Sequence, residues 1–362
     1  QNIDTQSGGS NGDVLIKSSG DITLADSKSI TTNGGDVILW ANSDGGTNYG
    51  GVFIYKSNIT TNGGHIWIGG STINGGSINW NGLTVGNGYA VSGTLLSGLY
   101  GTDIVWDAGV LLRSASLSSN GGDIYIAGQR NTLGANFGGG AGVINKNGTS
   151  GTLIDSGLGN ITIVGSSTIA GSDGGYFGIM TGLDPNGANG NFVIKSSSVN
   201  ATAISITGTT VSSGADGILV EDTTRILSTS TTSQNAGQIN ITGSSNGSNA
   251  LRIASAFGSG RLDVLSALGN ITIDVGSNPL KLFTAGYFKL GSINADPLVG
   301  ASGANVNIIS DNPSWSGSVP VVTTGTLAIK PSVGNSFTST FNSSSLLYTG
   351  ITGLAIGHSD NT

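Results

Sequence analysis

Nine residues, Thr31-Thr32-Asn33-Gly34-Gly35-Asp36-Val37-Ile38-Leu39, recur twice and constrain this chain's fold more than any other feature. Thr60-Thr61-Asn62-Gly63-Gly64-His65-Ile66-Trp67-Ile68 follows 29 positions on, without a gap. Ser118-Ser119-Asn120-Gly121-Gly122-Asp123-Ile124-Tyr125-Ile126 lies a further 58 on, twice that spacing. A unit that returns every 20 to 50 residues or so is the signature of a stacked repeat architecture. The unit also reads mechanically. Asn-Gly tolerates positive φ and turns the chain sharply. The apolar–any–apolar run after it has the two-residue period of a strand with one buried face. One turn and one short strand bury nothing alone, but stacked copies enclose continuous aliphatic ladders.

Composition excludes the competing classes. The chain of 362 residues has 63 Gly, 6 Pro, no Cys and 9% charged residues. Disordered chains are charge-rich and apolar-poor, whereas this one is 36% hydrophobic, in short regular bursts. Gly has no period of three, which excludes collagen, and no apolar run approaches the ~18 residues of a membrane span. No stretch carries a sustained helical period, and Thr, Ser, Asn and Gly between apolar positions favour turns and strands. The net charge of −7 comes from scattered Asp and the 13 basic residues form no cluster, which argues against nucleic-acid binding. Absence of Cys fits an extracellular protein. The first residue is Gln1 and no signal peptide is read, so a processed form or a segment of a longer protein is expected.

A looser template, Gly–polar–apolar–any–apolar, marks rungs at 12–16, 20–24, 35–39, 64–68, 76–80 and 122–126. It continues at 159–163, 190–194, 237–241, 260–264, 269–273 and 325–329. Segments 81–101, 129–151, 171–189 and 276–301 are rich in Gly, Asn or Ser, lack the template and read as corner insertions. The alternation persists to the end, so residues 1–362 read as one domain with a modified C-terminal portion about 303–362, where Pro313, Pro320 and Pro331 appear.

Repeated Ile-Thr-Thr-Asn-Gly-Gly, Gly-Asn-Ile-Thr-Ile and Gly-Leu-Ala-Ile-Gly resemble the filamentous-haemagglutinin class of giant bacterial surface proteins. The resemblance implies an all-β fold, a single right-handed parallel β-helix (solenoid), and an extracellular, cell-surface location. The family's amino-terminal secretion domain is not recognisable here. With coils of roughly 20 to 29 residues and a rise of about 4.8 Å each, some 13 to 18 coils are expected. Asn33, Asn62 and Asn120 would then stack as an internal amide ladder, as identical residues do in stacked strands.

Chemistry is sparse. Glu221-Asp222 with Arg225 is the densest charged group and Asp103 with Asp107 the next, and neither spacing makes two carboxylates converge for acid–base work. His65 and His358 are far apart, and no metal-spaced His/Cys set or phosphate loop is present. No cofactor is therefore expected, although Asp36, Asp44 and Asp123 lie near turns where isolated Ca²⁺ ions could sit. Eight Asn-x-Ser/Thr sequons, among them Asn58, Asn160, Asn240 and Asn270, reflect a chain rich in those residues.

The outward positions are more informative. If Val37 and Leu39, Ile66 and Ile68, Ile124 and Ile126 point inward, then Ile38, Trp67 and Tyr125 point out. Aligned large apolar groups mark a contact face, to be met by a folded-back insertion, a neighbouring chain or a sugar ring. Regular Thr-x-Thr columns on one flat face, as an ice-binding surface would need, are not evident in the sequence. Neither end reads as a capping helix, and a raw coil end exposes strand edges and apolar cross-section. The sequence thus leads to a non-catalytic rod segment of a surface fibre or adhesin. Its expected partners are further copies of itself, head to tail or as tandem repeats. A polysaccharide-binding module that uses surface glycans is the alternative, with polysaccharide degradation a weaker one.

Overall fold

The computed structural model describes all residues except 7–10, 46–49, 93–106, 132–139, 146–149, 173–174, 183–190, 254–259, 285, 294–302, 333, 335, 339–342 and 358–362. The chain is a parallel β-helix with three faces, and no α-helix occurs among the described residues. The first face is a sheet of 11 strands, running from Ile3–Asp4 through Ser29–Thr31, Asn58–Thr60 and Ser116–Ser118 to Leu346–Thr349. The second begins with Val14–Lys17, Val37–Trp40, Ile66–Gly69, Ile124–Arg130, Ile161–Ser167 and Thr202–Thr210. The third stacks Ile22–Leu24, Val52–Tyr55, Asp107–Arg113, Gly140–Asn145, Tyr176–Thr181, Ile218–Val220 and Leu251–Ile253. Farther along, Ile271–Leu282 runs from the second face into the third, pairing with Gln238–Ser245 by one half and Leu251–Ile253 by the other.

The core lies inside the three faces and is built of like stacked on like. Val37, Ile66, Ile124, Ile161, Ile204 and Ile239 form one register-locked inward column, each at most 1% exposed. Each such side chain contributes about 1.5–3 kcal/mol of burial.

The described residues form eleven coils, fewer than the 13 to 18 expected, and the reason is physical. Ile59 pairs directly with Leu117, so the 58-residue interval is one coil carrying an insertion and not two coils. Part of that insertion is Ser77–Trp80, which reads as a rung but is the first strand of an antiparallel hairpin with Leu83–Gly86. Its turn is Asn81-Gly82, with φ of 50° and 85°, the two-residue turn that matches hairpin twist. The hairpin leaves the second face at Gly69 and the chain rejoins it as Ala90–Ser92, beside the end of Ile124–Arg130.

The third face accounts for most of the other departures. Gly140–Asn145 and Tyr176–Thr181 are third-face rungs lying within segments read as insertions, as Tyr287–Ser292 is on the first face; the third-face pair explains the misreading. Their alternation fails because both sides are covered: all six residues of Gly140–Asn145 are buried. Outward Phe53, Leu111, Ile144, Met180 and Leu219 are in register, 1–9% exposed, and form a second apolar cluster outside the coil.

Candidate functional site

The outward aromatic column stands on the second face. Leu15, Ile38, Trp67 and Tyr125 are in direct register on consecutive strands of that face. Trp67 stacks on Tyr125 with ring centroids 6.1 Å apart and planes 6° from parallel, and meets the edge of Trp40 at 6.4 Å. Aromatic pairs at these separations add to plain area burial. Leu15 is 56% exposed, but from Ile38 onward the column does not open to solvent. The hairpin folds back over it, so that Val85, Trp80 and Leu83 close on Ile38, Trp40, Trp67 and Tyr125. Trp67 is 1% exposed and Ile38 7%. Burial raises the Tyr125 phenol above its ordinary pKa, since it disfavours the charged form. The cover comes from within the chain, and a sugar ring has no access to Trp67.

The tip of the hairpin is pinned by a second column, at the corner where each coil enters the second face. Asp13 Oδ1 accepts the Asp36 N–H at 2.9 Å, Asp36 Oδ1 accepts the His65 N–H at 2.6 Å, and His65 Nδ1 accepts the Asp123 N–H at 2.8 Å. Asp123 Oδ1 accepts the Asn160 N–H at 2.7 Å, while its Oδ2 accepts the Asn81 side-chain amide from the hairpin turn at 2.6 Å. Each side chain thus satisfies a backbone donor one coil away. The bond to Nδ1 places the neutral His65 proton on Nε2. The same device returns at Asn270, Asn305 and Thr326. Asp36 and Asp123 are therefore engaged with backbone, and no group of three metal-ligating side chains occurs among the described residues.

The Asn ladder needs a correction. Asn33, Asn62 and Asn120 are exposed at the corner, outside the coil. Asn120 Nδ2 donates to Asn62 Oδ1 at 3.0 Å, but Asn62 Nδ2 donates to the Thr32 carbonyl, so the amides do not form a continuous chain. Asn62 and Asn120 take φ of 53° and 54°, so their position is set by the left-handed turn. The internal ladder is one residue earlier and is made of hydroxyls. Thr32, Thr61, Ser119 and Ser156 are each 0% exposed and donate to the carbonyls of Gly35, Gly64, Gly122 and Gly159 within their own turns. Register carries the column on through Ser196, Ser228, Ser266 and Ser292. Ser196 and Ser228 also donate to buried corner carbonyls, which require a donor, whereas Ser266 Oγ has no partner among the described residues.

The carboxylates singled out by sequence do not converge. Arg225 Nε lies 3.8 Å from Asp263 Oδ2 on the next coil, and Arg261 grips the same carboxylate with two bonds of 2.9 Å. That grip raises the Arg261 pKa. Glu221 is buried at the preceding corner and Asp222 Oδ1 accepts the Thr223 N–H. Asp107 lies 3.6 Å from Arg130; Asp103 and His358 lie outside the described residues. Arg130 was not flagged by sequence. It is fully buried, donates to the Gly175 carbonyl at 2.8 Å and lies over the Tyr176 ring at 4.7 Å. Burial lowers its pKa, against the opposing pull of Asp107.

The coil end is the remaining surface. Tyr348, Leu354 and Ile356 are in register with Val321, Leu327 and Ile329, which are 0% exposed. They occupy the same inward positions, yet are 50%, 44% and 46% exposed, because no described coil lies beyond them. No protein family, no curated protein and no solved structure matches the chain.

Proposed function

We propose that this chain is a structural, non-catalytic rod segment of an extracellular bacterial surface fibre, stacked end to end on further coils of its own kind. The observation that carries the reading is the half-exposed inward set at the last described coil, Tyr348, Leu354 and Ile356. Those residues continue the interior columns, and among the described residues the strands bearing them, Leu346–Thr349 and Gly353–Ile356, each pair on one side only. Such an end is complementary to another coil in both hydrogen bonding and apolar cross-section. Contact between unlike ends that does not close on itself propagates as a filament. The resemblance to giant surface proteins supports the extracellular assignment. The glycan alternative loses its proposed face, because Trp67 lies under the hairpin.

Sedimentation velocity across a concentration series tests the reading. The wild-type chain should shift to larger species as concentration rises. Leu354→Asp places a charge on the exposed end and should weaken that association at least tenfold with the circular dichroism spectrum unchanged. A wild-type chain that stays monomeric, or a Leu354→Asp variant that associates as well, would overturn it.

A further inference from the structure

A different stretch of the second face carries a regular pattern that the sequence does not display. Strand Thr202–Thr210 pairs with Ile161–Ser167 over seven consecutive residues, and with Gln238–Ser245 from Ile204 to Thr210 without a shift. The outward positions therefore fall into straight columns. Ser205, Thr207 and Thr209 occupy one coil, and Asn240, Thr242 and Ser244 lie directly above them on the next. Thr162 and Ser166 stand in the same columns on the coil before, with Val164 between them; on the coil after, Thr272 extends the first column and Asp274 ends the middle one. Rows repeat at about 4.8 Å along the helix axis and at about 6.7 Å, two residues, along each strand.

Three properties distinguish this lattice from the rest of the surface. Its hydroxyls have no hydrogen-bond partner among the described residues, whereas the corner hydroxyls Thr32, Thr61, Ser119 and Ser156 are all engaged. None of these ten positions is charged or aromatic, Asp274 and the hairpin-covered Tyr125 being the residues that bound the columns, and the ion pairs Lys195 with Asp155 and Arg225 with Asp263 lie on the first face. The lattice is also held rigid from below by Ile204, Ile206, Ile239 and Ile241, all at most 5% exposed.

We propose that this face binds ice. A hydroxyl both donates and accepts, so a register-locked array of them suits a ligand whose every node does the same and repeats in two dimensions. An uncharged array matches an uncharged lattice. Carbohydrate sites, by contrast, are lined by apolar and aromatic groups with a few convergent polar ones, and none of the ten positions carries an aromatic ring. Thr side chains are stiff at χ1, so little freedom is lost on contact, and many weak contacts on one rigid frame act together. The inference rests on coil register alone and is independent of end-to-end stacking.

The test uses the intact chain in two assays, incorporation into a slowly growing ice front and inhibition of ice recrystallisation, with binding to insoluble cellulose measured in parallel. The wild-type chain should concentrate in the ice phase and restrain recrystallisation. The double variant Thr207→Lys/Thr242→Lys, and separately Ser205→Tyr, should lose at least tenfold of that effect with unchanged melting temperature. Thr60→Lys, on the first face, should retain it. Exclusion of the wild-type chain from ice, retention of the effect in both array variants, or binding to cellulose in place of ice would overturn the proposal.

Discussion

Replacing Trp67 by Ala separates a structural cover from a docking face. The indole is 1% exposed, stacked on Tyr125, edge-on to Trp40 and closed over by Val85 and Trp80. Truncating a buried Trp costs about 3–5 kcal/mol, since the cavity collapses only in part. The loss should fall on the hairpin Ser77–Trp80/Leu83–Gly86 and not on the coil. The inward neighbours Ile66 and Ile68 are 0% exposed and belong to the separate interior cluster. A two-stranded hairpin is marginal by itself, and this one is held by that apolar cluster and the Asn81–Asp123 bond. At about 1.4 kcal/mol per decade, hydrogen-exchange protection at residues 77–86 should drop by roughly two to three and a half decades, up to complete local opening. Protection at Ile161–Ser167 should not change. Unchanged protection in the hairpin, or an equal loss in both regions, would refute the reasoning.

Further outcomes follow from the corners and the buried charges. Thr61→Val keeps the shape but removes the donor to the buried Gly64 carbonyl, and should cost about 1–3 kcal/mol in denaturant unfolding. Gly122→Ala would place a Cβ 2.0 Å from the Gly64 carbonyl oxygen of the adjacent coil and should cost about 3 kcal/mol or more, while Gly20→Ala, with nothing within 4 Å, should be nearly neutral. Asp216 is 1% exposed, and its burial raises its pKa above the ordinary value of about 3.9 despite Arg252 at 2.7 Å and the bonds from Ser248 and Asn249. The folded state then holds the proton more tightly than the unfolded state. This group's contribution is full below the ordinary carboxylate value and is lost as pH rises through the raised one. Melting temperatures from pH 3 upward should show the wild-type-minus-Asp216→Asn difference falling with pH, and a rising difference would contradict the assignment.

Reading the sequence against the coils shows which signals survive folding. Faces with one wet side were legible, because Ile161, Ile163, Ile239 and Ile241 alternate with outward Thr162, Val164, Asn240 and Thr242, and Asn62-Gly63 announces the turn. Past its first strand, Ile22–Leu24, the third face was not, because Val143, Ile144, Ile179 and Met180 are apolar in adjacent positions and buried on both sides. The hairpin carried its own mark in Trp80-Asn81-Gly82-Leu83, but Gly76–Trp80 also fits the rung template, and a local pattern cannot tell an inserted strand from a stacked one. The hydroxyl corner hid in the repeat itself: nothing local marks Thr32 and Thr61 as buried, since their burial depends on a coil 29 residues away. The lattice of Ser205, Thr207, Thr242 and Ser244 was invisible for the same reason, since columns exist only once register is known.

Negative-stain electron microscopy of residues 1–362 over a concentration series tests the central claim most directly. Eleven coils at about 4.8 Å each make a unit of about 50 Å. The account predicts thin rods whose lengths grow with concentration in multiples of that unit, at constant width. Particles of fixed size at every concentration, or growth in width in place of length, would contradict it.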